Sequence, residues 1–78
     1  MPIYEPHEVK LANEIAETLK DRDSIALFLT FSRKYNEKFL RETLARVMAI
    51  DEAKIRKTRG ALFTFLVNQH GAYSNSRS

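Results

Sequence analysis

The sequence predicts an all-α fold, a small bundle of four helices with short connections, five if the last segment breaks. Three observations predict it. Apolar residues recur at helical spacing through most of the chain, and no segment offers a partner strand for a sheet. Turn and capping residues divide the chain around Asp21, Asn36 and Asp51. At 44% hydrophobic and 29% charged, the composition is that of a globular and not a disordered chain.

The first helix is expected over about residues 6–20. Pro2 and Pro6 keep the residues before them extended, and Pro6 then fits a first helical turn, with Glu8 near the positive end of the dipole. Val9, Ala12, Ile15, Ala16 and Leu19 form its apolar stripe, backed by Glu14, Glu17 and Lys20. A break at residues 21–24 follows, with Asp23 or Ser24 as cap for the next helix. Ile25 to Leu29 and Phe31 are apolar on nearly every side. A run of that length also suits a buried strand, but its helical neighbours favour a central, mostly buried helix closed by Arg33 and Lys34.

Asn36 is the expected N-cap of the third helix. Phe39, Leu40, Thr43, Leu44, Val47 and Met48 trace its inner face. Outside, Glu37 with Arg41, Lys38 with Glu42, and Glu42 with Arg46 are spaced i to i+4, pairs worth only ~0.2–0.5 kcal/mol each that mark a solvated face.

Asp51 opens the last segment, for which two readings stand. One continuous helix from Asp51 to Gln69 would align Ile55, Thr58, Leu62, Phe65 and Leu66. Alternatively, a short helix ends near Lys57 and a new one is capped by Thr58. Gly60, costing ~1 kcal/mol inside a helix, tips the choice slightly toward a break. Gly71 is the expected stop, with His70 in the last turn. Residues 1–71 are thus expected to form one helical domain and residues 72–78 a flexible polar tail. The expected core is Ile15, Leu19, Ile25, Phe28, Leu29, Phe39, Leu40, Leu44, Val47, Leu62, Phe65 and Leu66. Phe31, Phe63 and Val67 lie on helices apolar over more than one face, and form a candidate interaction surface.

At 78 residues the chain has room for one domain and little room for a large enclosed pocket. With no Cys it holds no disulfide and no thiolate chemistry, which fits a reducing compartment. No apolar run approaches a membrane span, and the acidic N-terminus lacks a signal-peptide layout. A cytoplasmic protein is expected, with no membrane partner.

Enzyme signatures are missing. His7 and His70 stand near opposite ends, outside any metal-binding spacing, and two isolated glycines build no phosphate loop or nucleophile elbow. Glu14 and Glu17 share a face but read as ordinary surface. The expectation is a non-enzymatic protein with no catalytic residue, metal or cofactor.

The charge is uneven. Residues 1–23 carry a net −3, while residues 24–50 and 51–78 carry +3 each. The sharpest feature is Lys54, Arg56, Lys57 and Arg59, four bases within six positions, followed by Gly60. If Thr58 begins a helix, free backbone N–H groups would sit among these bases and suit a phosphate, with Gly60 and Ala61 admitting a sugar-phosphate backbone. Lys54, Arg56, Lys57, Thr58, Arg59 and Gly60 are therefore the candidate nucleic-acid site, with Arg33, Lys34, Lys38 and Arg41 as a secondary basic face. The plainer account is a solvated helix start that keeps a small protein soluble. Tyr4, Tyr35 and Tyr73 are the candidate exposed rings, Tyr35 foremost. Residues 24–50 have the lengths of a helix-turn-helix, but the balanced charge on the second helix argues against burial on DNA.

Residues 59–66, Arg-Gly-Ala-Leu-Phe-Thr-Phe-Leu, resemble the terminal helix of helical C-terminal modules in phage and plasmid replication-initiation and helicase-loading proteins. Arg56, Lys57 and Arg59 match the basic approach, Gly60 and Ala61 the small pair, and Leu62, Phe63, Phe65 and Leu66 the apolar helix. Gly60 stands where Pro is more usual, and the likeness covers about a dozen residues. It implies attachment to DNA or to a replication protein, not an active site. The functional expectation is a nucleic-acid-binding module, with a helical protein-interaction adaptor, homodimeric forms included, as the alternative.

Overall fold

The computed structural model describes the backbone of residues 3–74 and the side chains of residues 3–70. Among the described residues it is all-α, with helices α1 (Pro6–Leu19), α2 (Ile25–Lys34), α3 (Glu37–Ala49) and α4 (Arg59–Ser74). Single 3₁₀ turns, Arg22–Ser24 and Glu52–Lys54, lead into α2 and follow α3. No described helix is long and apolar enough to cross a membrane.

Local chemistry explains most boundaries. Pro6 opens α1, and the Glu8 carboxylate accepts the Glu5 N–H at 2.8 Å. Lys20 closes the helix in the left-handed region (φ 56°), and the Asp21 N–H reaches back to the Ala16 carbonyl at 2.9 Å. Neither Asp23 nor Ser24 caps α2 through its side chain as expected; the 3₁₀ turn feeds the helix directly. Asn36 does cap α3, its Oδ1 accepting the Lys38 N–H at 2.7 Å. At the far end the backbone of α4 stays helical past Gly71 to Ser74, so Gly71 is not the stop. A glycine enters the right-handed helical region as readily as the left-handed cap, so by itself it does not end a helix. Residues 75–78 of the expected tail, and the Tyr73 side chain, lie outside the description.

The helices form two hairpins, α1 on α2 and α3 on α4. The α1–α2 pair is antiparallel: Arg33, near the end of α2, pairs with Glu8 at the start of α1 at 3.4 Å. Arg41 on α3 ties the hairpins together by pairing with Glu14 on α1 at 2.6 Å. The core is Leu11, Ala12, Ile15, Ala16 and Leu19 from α1, Phe28 and Phe31 from α2, Tyr35, Leu40 and Val47, and Phe63 and Val67 from α4. Phe63 packs edge-on against Phe28 at 5.8 Å and against Phe31 at 6.3 Å between ring centroids.

This core revises the expected one at one helix above all. Ile15, Leu19, Phe28, Leu40 and Val47 are buried as expected, and Ile25, Leu29, Phe39, Leu44, Leu62 and Leu66 pack partly buried around them. Phe65, expected inside, is 59% exposed. Phe31, Phe63 and Val67, the candidate interaction surface, are buried in the core and present no surface. The reason is the phase of α4. Phe63 and Val67 are one turn apart on the buried face, where Phe63 meets Phe28 and Phe31 of α2, while Phe65 lies ~200° around the helix from Phe63. Tyr35, foremost among the expected exposed rings, is buried against Phe31 and Phe39.

Candidate nucleic-acid interface

The connection between α3 and α4 carries the basic cluster, and its sequence decides its shape. Asp51 Oδ1 accepts the Ala53 N–H at 3.1 Å and starts the Glu52–Lys54 turn. Ile55 is then extended and half-buried. Thr58 ends the connection by accepting the Ala61 N–H on its hydroxyl at 3.0 Å, while its carbonyl takes the Leu62 N–H at 3.1 Å. Of the two readings of this segment, the break and the Thr58 cap are adopted, but the short helix expected up to Lys57 is a single 3₁₀ turn that ends at Lys54.

The break opens a groove of about 570 Å³ between the connection and the first turns of α4. Lys54, Arg56 and Lys57 rim it, and Ile55, Leu62 and Phe65 supply apolar walls, with Thr58 and Ala61 completing the lining. Lys54, Arg56 and Lys57 are exposed, and none has an acidic partner among the described residues. These three cations form no ion pair among the described residues and outnumber Asp51 and Glu52 on the same connection, which leaves a local positive field for an anion to fill.

Two of the six expected site residues do other work. The Arg59 guanidinium donates to the Val47 carbonyl at 2.7 Å, binding the start of α4 to the end of α3. It lines a second, smaller cavity of about 490 Å³ with Lys20, Met48 and Glu52. Gly60 is buried, because Asp21 from the α1–α2 connection packs on it. The expected phosphate nest at this helix start is accordingly less open to an anion than expected. Thr58 holds one of its N–H groups, and the Asp21 carboxylate packs beside Gly60, adding a negative charge to the first turn of α4.

The two arginines of the secondary basic face are matched by carboxylates. Arg33 donates to the Ile3 carbonyl, pairs with Glu8, and stacks 4.7 Å over the half-buried Tyr4 ring. Arg41 lies between Glu37 at 2.7 Å and Glu14 at 2.6 Å, and these hydrogen bonds, Glu37's first, raise its pKa above the ordinary arginine value. Lys34 sits 5.4 Å over Tyr35, and Lys38 is exposed. Of the three i to i+4 pairs expected on α3, Glu37 with Arg41 is the one that closes among the described residues. These residues cluster around the start of α3, whereas the Lys54 connection leaves its far end; thirteen helical residues separate the two ends by ~20 Å. The two basic regions are not one surface.

Phe65 is the groove residue that sequence reasoning missed. Residues 61–63 and 65–67 of α4 are all apolar, so no polar stripe marks which side faces out. The available signal was Gly60, whose missing side chain marks a close approach and places the helix face it shares with Phe63 and Val67 inward. His7 and His70 are both exposed, and no cluster of three metal-binding side chains occurs among the described residues. Comparison of the chain with protein-family models, with curated proteins and with solved structures finds no match.

Proposed function

We propose that this chain is a non-enzymatic helical module that binds nucleic acid through the α3–α4 connection. The observation that carries this reading is the trio Lys54, Arg56 and Lys57, without acidic partners among the described residues and arranged around one open groove. Phosphates are the common anion that such a rim suits, and Arg56 adds the planar fork that binds phosphate oxygens in pairs. The resemblance of residues 59–66 to modules of replication-initiation and helicase-loading proteins supports a role as a DNA-replication accessory in the cytoplasm.

The test is binding of labelled oligonucleotides across a salt series, with Arg56→Glu/Lys57→Glu as the variant. Arg59 is left intact because its guanidinium holds two helices together. Three phosphate contacts give a log–log salt slope of about −2 to −3. The double reversal should abolish binding at ~0.15 M salt while the circular dichroism spectrum stays unchanged. Unaltered affinity in the variant would place nucleic-acid binding elsewhere or nowhere.

A second reading, a protein-interaction adaptor or homodimer, is favoured by the exposure of Phe65 beside Ile55 and Leu62. It requires a partner lost on Phe65→Asp and retained on Arg56→Glu/Lys57→Glu, or a molecular mass that rises with concentration.

A further inference from the structure

We infer that the groove takes single-stranded nucleic acid, with one unpaired base stacked on the Phe65 ring and the flanking phosphates on Lys54, Arg56 and Lys57. This rests on the reading of the groove as a nucleic-acid site and adds which form of nucleic acid it selects. The juxtaposition that carries it is an exposed aromatic ring inside a rim of cations that have no acidic partner among the described residues. Phe65 is 59% exposed, whereas the other described phenylalanines are buried or partly buried in the core. A cationic rim alone would hold any polyanion, and an apolar wall alone any apolar partner. Together they match a chain that alternates negative phosphates with flat π-faces. In a duplex those faces are already stacked on neighbouring bases and closed to a protein ring.

The rest of the described surface offers a duplex little. The Arg41 guanidinium that a major-groove helix would present is held by Glu37 and Glu14, and Glu42 adds a further negative charge to that helix. The helix start nearest the cluster carries the Asp21 carboxylate beside Gly60, a negative charge that disfavours a phosphate of either form there and leaves the groove as the place for one. Among the described residues, the groove is where unpaired cations and an exposed aromatic ring coincide, and its contents favour an unpaired strand.

The chain has no Trp, so Phe65→Trp places a single indole at the site. Its emission should be quenched on titration with oligothymidylate, and quenched far less with an abasic deoxyribose-phosphate oligomer of equal length. Anisotropy should show oligothymidylate binding more tightly than a hairpin duplex with the same number of phosphates. Phe65→Ala should weaken single-strand binding roughly fivefold to a hundredfold, and Phe65→Tyr should restore it. Since Phe65 lies outside the core, circular dichroism verifies that each variant is folded. Equal affinity for duplex and single strand, with Phe65→Ala silent and the salt dependence intact, would overturn the stacking inference and leave the nucleic-acid reading standing. Binding of poly-glutamate as tight as that of oligothymidylate would overturn it in favour of an acidic protein partner. Absence of salt-sensitive binding to either nucleic acid would overturn both.

Discussion

A methyl group added at Gly60 would run into Asp21 Oδ2 and lie 3.2 Å from Asp21 Cγ. This close approach lets the α1–α2 connection seat against the start of α4, and it sets two effects in opposition. Replacing a helical glycine by alanine gains ~1 kcal/mol in propensity. Overpacking costs ~1–3 kcal/mol, and relief requires the Asp21 carboxylate to turn out of its packed position, since Oδ2 and Cγ lie too close while Cβ at 3.4 Å is in ordinary contact. Gly60→Ala is therefore expected to lower stability by ~1 kcal/mol. In an Asp21→Ala background the obstructing carboxylate is gone, and the same substitution should raise stability by ~1 kcal/mol. Urea midpoints of the four proteins in this cycle decide the matter, and a stabilised Gly60→Ala single variant would show that the approach constrains nothing.

The start of α4 is built by two adjacent residues with different tasks. Thr58 caps the helix through the Ala61 N–H, and Arg59 reaches across to the last turn of α3 through the Val47 carbonyl. Thr58→Ala should cost ~1 kcal/mol. Arg59→Gln should cost ~1–2 kcal/mol by removing a charge-assisted hydrogen bond between helices. Both effects are measured by chemical denaturation. Folded Arg59→Gln should keep its affinity for nucleic acid, since the Arg59 guanidinium is engaged at the Val47 carbonyl and does not line the groove; loss of affinity in that variant would return Arg59 to the binding site. This element also shows why some features were legible in the sequence and others were not. The starts of α1 and α3 could be read because Pro6 and Asn36 act through their own backbone neighbourhood, whatever the rest of the chain does. The rim bases Lys54, Arg56 and Lys57 were legible as a cluster for the same reason. The division of labour between Lys57 and Arg59 was not. It depends on the Val47 carbonyl, twelve residues before Arg59, which the fold brings within reach of Arg59.

At the scale of the whole molecule, the side of α4 that faces inward decides both stability and site. Its apolar residues run all the way round, so periodicity could not choose between Phe63 and Phe65, and only the tertiary arrangement does. Phe63 is fully buried against Phe28 and Phe31 from the other hairpin, so it joins the two halves of the fold. Truncating a buried phenylalanine costs ~3–5 kcal/mol. A domain of this length has only ~4–12 kcal/mol to lose. Phe63→Ala should therefore remove much of the stability, shifting the urea midpoint far down or leaving the chain unfolded in buffer. Phe65→Ala, two residues on, should leave stability within ~0.5 kcal/mol of the parent, because its ring is already largely in water. Circular dichroism melts of the two variants side by side test this. Equal losses would mean that both rings are core, and the open face of the groove, with the stacking platform placed on it, would fall together.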